Sequence, residues 1–91
     1  MDIQPIFRCA VGMDVHLALI CVCIIVAQPG LEPEVHRREF GGFQRDRRAM
    51  AEWIARFRPD IVVMESIGIC WKSPYAALEK VGIQALVVNA Q

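Results

Sequence analysis

The sequence lacks an apolar run long enough to cross a membrane as a helix. Its longest such run, residues 17–27, has 11 residues, whereas a membrane-spanning helix needs about 20. The segment before it contains Asp2, Arg8 and Asp14, a net negative charge where a secretory signal needs positive charge. We therefore expect no membrane association and interpret the run as a strand of a protein core.

A metal-binding cysteine pattern is also missing. The sequence has four cysteines and only two histidines, and no second close pair of cysteines accompanies Cys21 and Cys23. These two thiols are two residues apart, so a strand would place them on the same side. We interpret the cysteines as free thiols that pack as small hydrophobic side chains, which predicts a reducing, cytoplasmic location.

Net charge is absent as well, since ten basic side chains balance ten acidic ones. This excludes a globally basic nucleic-acid-binding chain, but the charge is uneven. Residues 37–58 contain seven arginines and three acids, so an anionic partner would most plausibly meet this segment. A hydrophobic content of 55% argues against disorder. The length of 91 residues suits one small domain or a piece of a larger one.

The first half of the chain has the pattern of three antiparallel strands. Residues 7–15 and 17–27 are rich in β-forming residues and predict a hairpin that turns at residues 15–17. The Pro-Gly turn in residues 28–33 precedes a shorter and more polar strand, residues 35–40, which we expect at an edge of the sheet.

The second half predicts a helix and then a parallel strand–helix–strand unit. Apolar residues at helical spacing, ending before Pro59, form one stripe: Phe43, Met50, Trp53, Ile54 and Phe57. Residues 60–65 suit a central strand buried on both faces. A second helix would have Ser73 as N-cap, Pro74 at its first position and Gly82 after its end, before a strand at residues 83–89. The fold class is therefore α/β with a mixed sheet. Because no helix follows the last strand, we expect residues 1–91 to be part of a domain whose C-terminal part is absent.

Two acids fall near the ends of predicted strands. Asp14 comes late in the first strand and Glu65 ends the fourth. If these strands are parallel neighbours, the carboxylates lie about 4.8 Å apart and repel each other unless a cation lies between them. Hard oxygen ligands favour Mg²⁺ or Mn²⁺, and such pairs serve two-metal phosphoryl transfer. Each acid alone could equally be a solvent-exposed side chain.

The segments that contain these two acids also resemble a known family. The segments "VGMDVH" and "VVMESIGICWKSPYAALEKVGIQALVVN" resemble the N-terminal domain of DEDD-type insertion-sequence transposases, whose nuclease domain is RuvC-like and belongs to the RNase H-like superfamily. The second segment matches the family pattern at these positions: Met64, Glu65, Gly68, Trp71, Tyr75, Leu78, Gly82, Val88 and Asn89.

The resemblance implies that Asp14 and Glu65 are the first two acids of a DEDD quartet that binds Mg²⁺ or Mn²⁺ at DNA. It implies DNA cleavage and strand exchange in transposition, guided in some members by a structured RNA. His16 and Leu17 stand where the family has Ser-Lys. The other two acids would lie beyond Gln91, so we expect weakly held metal and a chain that is inactive alone.

Three basic residues are candidates for nucleic-acid contact: Lys72, Arg45 and Arg48. Lys72 could equally be a solvated side chain, whereas the two arginines are more often part of a solvated helix face unless DNA runs across it. Trp71 and Tyr75 could stack on bases or pack the second helix against the sheet, and packing is favoured for Trp71. His16 could be a metal ligand or a base, but a histidine in a turn is more often simply exposed.

Two other function classes remain open. An actin-like ATPase fragment, such as that of a sugar kinase, would also begin with an acid-bearing strand and a hairpin. Its phosphate loop would need Gly, Ser and Thr where this chain has Val15, His16 and Leu17. The other class is a non-catalytic remnant that acts by pairing with another chain, as a homo-oligomer or on a full-length transposase.

Overall fold

The computed structural model describes residues 7–89 as a mixed sheet with two helices. The strands lie in the order β3-β2-β1-β4-β5, which confirms the predicted three antiparallel strands followed by a parallel unit. The predicted domain also includes residues 1–6 and 90–91, which lie outside the described residues. The elements are β1 (Cys9–Val15), β2 (Leu19–Val26), β3 (Glu34–Gly41), α1 (Gln44–Arg56), β4 (Ile61–Ser66), α2 (Lys72–Lys80) and β5 (Leu86–Asn89).

The β1–β2 hairpin is antiparallel, with Val15 opposite Ile20 beside the turn. The amide of His16 donates a hydrogen bond of 2.8 Å to the carbonyl of Leu19, so residues 16–18 form the loop. The prediction made both strands longer. Phe7 and Leu17 are exposed and lie outside them.

Strand β3 lies at an edge of the sheet, as predicted, and four of its eight residues are charged. Gly42 follows the strand and touches the hairpin loop. A Cβ atom at Gly42 would lie 2.8 Å from the carbonyl oxygen of Leu17, which is too close for any residue except glycine. This contact joins the β3–α1 connection to the loop after β1.

Helix α1 packs through one apolar stripe, and Met50 and Ile54 are fully buried. Phe43 was predicted in this stripe, but it precedes the helix as its N-cap residue and is 70% exposed. The carboxylate of Asp46 accepts a hydrogen bond of 3.3 Å from the amide of Phe43. This bond satisfies one of the backbone amides that have no partner within the helix. After the helix, Arg58 has a φ of 48° before Pro59 turns the chain towards β4.

Helix α2 begins earlier than predicted. Trp71 is its N-cap and Lys72 its first residue, so the assignment of Ser73 as N-cap and Pro74 as first residue was wrong. Proline still fits because no amide of the first turn has an intrahelical partner. Gly82, with a φ of 82°, follows the end of the helix as predicted. The last strand is shorter than the predicted residues 83–89, because it begins at Leu86.

The core lies between the two helices and one face of the sheet. Buried side chains alternate with exposed or half-buried ones along β1, β2 and β4. Strand β4 is central, but the prediction that it is buried on both faces was wrong, because Glu65 is exposed and Val63 is half-buried on its other face. Within residues 7–89, no helix is long and apolar enough to cross a membrane.

Candidate active site

Asp14 and Glu65 are brought side by side by the pairing of β1 with β4. The two strands are parallel neighbours, and Asp14 is the direct partner of Glu65. Neighbouring strands are about 4.8 Å apart, so the two carboxylates share a small volume. Each acid lies one residue before the end of its strand, since β1 ends at Val15 and β4 at Ser66. The sequence-based prediction of this geometry is confirmed.

The alternation of buried and exposed residues points both acids away from the core. Met13 and Val15 flank Asp14, Met64 and Ser66 flank Glu65, and all four flanking residues are buried. The acids therefore lie on the face of the sheet opposite the helices, which we call the open face. A hollow of about 680 Å³ lies on this face. Its polar and thiol-bearing lining comprises Asp14, Cys21, Cys23, Arg37, Arg38, Glu39 and Glu65.

His16 lies beside the first acid. Its Nε2 atom is 3.4 Å from Oδ2 of Asp14, and both side chains are largely exposed. The expectation of an exposed loop histidine is confirmed. Its contact with Asp14 was not predicted, although the spacing of two residues across a strand end could have indicated it.

The same row of the sheet contains a thiol and a third carboxylate. Cys21 is the direct partner of Asp14 on one side and of Glu39 on the other. Its Sγ atom is 3.7 Å from Oε2 of Glu39. Burial raises the pKa of the Cys21 thiol, and the carboxylates of Glu39 and Asp14 raise this pKa further. The thiol therefore remains protonated at neutral pH and is a poor metal ligand.

Glu39 was not among the predicted site residues. Residues two apart in a strand share a face, which places Glu39 with Arg37, but only the register of β2 with β3 places Glu39 in the row of Asp14. The four cysteines are free, as predicted, and Cys21 and Cys23 face the same side.

The donor chemistry of the site fits a hard divalent cation. Asp14 and Glu65 provide adjacent exposed carboxylates, the ligand type that Mg²⁺ and Mn²⁺ prefer. Among residues 7–89, however, no group of three or more His, Cys, Asp or Glu side chains is arranged to hold a metal ion. Residues 7–89 therefore provide two carboxylates of a metal site and no third ligand arranged beside them.

The three predicted nucleic-acid contacts do not line one common pocket. Lys72 is exposed at the first residue of α2. The guanidinium of Arg45 lies 5.8 Å from the ring centre of Phe43. Arg48 is exposed in a groove between α1 and α2. None of the three lines the hollow beside the acids.

Trp71 and Tyr75 pack against each other and against the core. Their rings meet edge to face with centres 5.5 Å apart, and both side chains are half-buried. This geometry is typical of aromatic packing and favours the structural interpretation of Trp71.

Known structures resemble this fold. RuvC from Thermus thermophilus matches with a TM-score of 0.67 and 13% identity over 89% of this chain. The same protein in complex with a Holliday junction substrate matches with a TM-score of 0.68. The fowlpox virus Holliday junction resolvase matches with a TM-score of 0.62 and 14% identity over 89% of the chain.

The chain spans 63% of the length of the RuvC chain and 60% of that of the viral resolvase. An Aquifex aeolicus PPX-GPPA enzyme also matches, with a TM-score of 0.58 and 11% identity, over 91% of this chain but only 36% of its own. No protein-family model and no curated protein matches the sequence. The likeness shows a RuvC-like fold of the RNase H-like class, which confirms the predicted fold class.

Proposed function

We propose that this chain provides part of a metal-dependent nuclease and strand-exchange site of an insertion-sequence transposase, with DNA as its substrate. The observation that supports this proposal is the direct pairing of Asp14 with Glu65 at the carboxyl ends of two parallel strands. Ligands bind preferentially at this end of the strands in open α/β sheets. The known resolvase structures that share the fold include complexes with Holliday junction DNA.

The two carboxylates would hold Mg²⁺ or Mn²⁺. A bound divalent ion lowers the pKa of a water molecule and stabilises the charge that develops during phosphoryl transfer. Asp14 and Glu65 would position the cation. The half-buried residues beside them on the open face would separate the carboxylates from the apolar core. Because two carboxylates leave most of the coordination positions of the cation to other ligands, we expect weak binding and no efficient cleavage by these 91 residues alone.

Three further proposals follow from the transposase assignment. The natural substrate would be the DNA of an insertion sequence, and a structured guide RNA would direct the reaction if this chain follows the members that use one. The free thiols of the chain support a reducing cytoplasm as its location. The open face of the sheet is consistent with assembly into homo-oligomers.

Metal binding tests the site directly. We would titrate the chain with Mn²⁺ and follow the free ion by electron paramagnetic resonance. Asp14→Asn and Glu65→Gln should each weaken binding about tenfold or more. Glu52→Gln, on the exposed surface of α1, is the matched control and should bind as the wild type does. Equal affinity in all four proteins would contradict the proposal.

DNA cleavage tests the activity. In Mg²⁺ we expect the wild-type chain to leave a labelled four-way junction intact over the time in which a complete resolvase cuts it. Cutting that disappears in Asp14→Asn would overturn the expected inactivity and support the nuclease. Cutting that persists in both acid variants would point to a contaminant and leave the metal titration to decide.

The actin-like ATPase is the weaker alternative. Its phosphate loop needs small and hydroxyl-bearing residues after the acid, whereas the loop of this chain is His16, Leu17 and Ala18. Equilibrium dialysis with labelled ATP should therefore show no retention. Tight ATP retention together with no DNA binding would reverse the order of the two proposals.

A further inference from the structure

The charges of this chain are segregated by layer. The helical layer, residues 43–58 and 72–82, has seven basic and three acidic side chains, an excess of four positive charges. The hollow on the open face instead has three carboxylates among its lining, against two arginines. The whole chain is neutral because the acids outside the helical layer, including those of the hollow, balance its positive charge. An anionic partner is therefore attracted to the helical layer.

Three of the seven basic side chains of that layer line one groove. The groove lies between α1 and α2 and has a volume of about 360 Å³. Its charged lining consists of Arg47, Arg48 and Lys80, with Glu52 as the one acid. Alanines from both helices form much of the rest of the lining, so small side chains leave the floor open: Ala51, Ala76 and Ala77.

A second crevice connects this groove to the acidic end of the sheet. It has a volume of about 310 Å³ and lies between the loop after β1 and the start of α2. Arg47 and Ser73 line both the groove and the crevice. At its other end the crevice is lined by His16, whose ring is 3.4 Å from Asp14.

Arg47 is held at the junction of the two. It is half-buried, and its guanidinium donates a hydrogen bond to the carbonyl oxygen of Gly42. A guanidinium has five N–H donors, so others remain to contact a phosphate. The close contact between Gly42 and Leu17 fixes this arginine relative to the hairpin loop that carries His16.

We propose that the α1–α2 groove binds the sugar–phosphate backbone of the nucleic acid strand that reaches the acidic site through the crevice. The proposal rests on the proposed function and extends it from the reacting phosphate to the phosphates beyond. The groove has cations to contact phosphates and no aromatic side chain in its lining to stack on bases. Binding should therefore depend on charge and not on sequence.

Charge-matched variants test the groove. We would measure the affinity of the chain for a fluorescently labelled four-way DNA junction by anisotropy, in EDTA and at several salt concentrations. Arg48→Gln with Lys80→Gln should weaken binding about tenfold or more at low salt and reduce the salt slope by about two. Arg56→Gln with Arg58→Gln removes the same charge from the same layer outside the groove and should change the affinity much less.

If the two double variants weaken DNA binding equally, the groove proposal is wrong, because the loss would then come from the overall charge of the helical layer. Thermal unfolding of each variant shows whether it remains folded. The charge-conserving double variant, Arg48→Lys with Lys80→Arg, should bind DNA as the wild type does. Sedimentation tests the main alternative occupant of the groove, which is a second copy of the chain. If the groove variants change self-association and leave DNA affinity intact, the groove is an interface between copies and the proposal is wrong.

The failure of this inference can be distinguished from failure of the proposed function. The affinity is measured in EDTA and does not depend on metal binding at Asp14 and Glu65. If Mn²⁺ binds normally but the groove variants bind DNA as tightly as the wild type does, only the groove proposal is rejected. Mn²⁺ affinity that is unchanged in Asp14→Asn and Glu65→Gln would reject the nuclease site, whatever the groove binds.

Discussion

At the scale of single residues, Gly42 shows how one backbone contact positions the site. An added Cβ would meet the carbonyl oxygen of Leu17 at 2.8 Å and the Cα of Ala18 at 3.3 Å. Because both are backbone atoms, they cannot rotate away. Gly42→Ala should lower the free energy of unfolding by about 1–3 kcal/mol, measured by urea denaturation.

Gly12 provides the control for this substitution. It lies on the open face of β1, and a Cβ there meets nothing within 4 Å. Gly12→Ala should therefore be neutral or stabilise the chain by up to about 1 kcal/mol, since alanine restricts the unfolded chain more than glycine does. Equal losses at the two positions would contradict the steric argument.

Cys9 predicts a pH dependence of stability. Burial raises the pKa of its thiol above the ordinary value of 9.0, and the carboxylate of Asp60 raises this pKa further. The folded state therefore retains the proton at a pH where the unfolded chain loses it. This contribution to stability is complete below pH 9 and decreases as the pH rises through the folded pKa.

The unfolding free energy should accordingly fall more steeply above pH 9 in the wild type than in Cys9→Val, which has no thiol to ionise. Denaturation at a series of pH values measures both slopes. Parallel slopes would show that Cys9 does not contribute.

At the scale of elements, Asp60 fixes the pairing on which the acidic site depends. Its Oδ2 atom accepts hydrogen bonds of 2.7 Å from the amide of Arg8 and 2.9 Å from that of Cys9. Its own amide donates one of 2.8 Å to the carbonyl of Cys9. These bonds join the beginnings of β1 and β4, so the opposite ends of the strands present Asp14 beside Glu65.

Asp60→Ala should therefore lower the free energy of unfolding by about 1–2 kcal/mol and weaken Mn²⁺ binding, although Asp60 is at the far end of both strands. Glu32→Ala, in the exposed loop between β2 and β3, is the control and should leave both quantities unchanged. Unaltered stability in Asp60→Ala would refute this role.

Trp71 offers a test at the start of α2. If it packs the helix against the sheet, Trp71→Ala should cost about 2 kcal/mol of stability. The affinity for single-stranded DNA should then remain that of the wild type. Fluorescence-detected unfolding and anisotropy measure the two effects. The opposite result, weaker DNA binding at unchanged stability, would identify Trp71 as a base-stacking residue.

The elements differ in how far the sequence predicts them, for identifiable physical reasons. The position of Asp14 and Glu65 side by side was predicted from the strand–helix–strand pattern together with the family resemblance, because pattern alone does not fix which strands are neighbours. The start of α2 was mispredicted because Pro74 fits any position of a first turn, so its presence does not locate the N-cap. The contact of Cys21 with Glu39 depends on the register of two strands separated by a loop, which local pattern does not specify.

The whole molecule has one apolar sheet face covered by helices and a second that is open. Large apolar side chains on the open face are at least a third exposed, and they come from β2, β3 and β5: Leu19, Ile25, Val35, Leu86 and Val88. Such patches promote association between molecules. The prediction that β4 is buried on both faces was wrong for the same reason, because helices cover only one face of the sheet within residues 7–89.

The open face predicts self-association that rises with concentration. Ile25, 44% exposed and opposite Ala10 and Val35 in the sheet, lies away from the acidic row. Ile25→Lys should therefore shift sedimentation towards the monomer without weakening Mn²⁺ binding. Ala49→Lys adds the same charge to the exposed side of α1 and should leave association unchanged. If wild-type chain remains monomeric at all concentrations, or both lysine variants dissociate it equally, then the apolar face does not drive association.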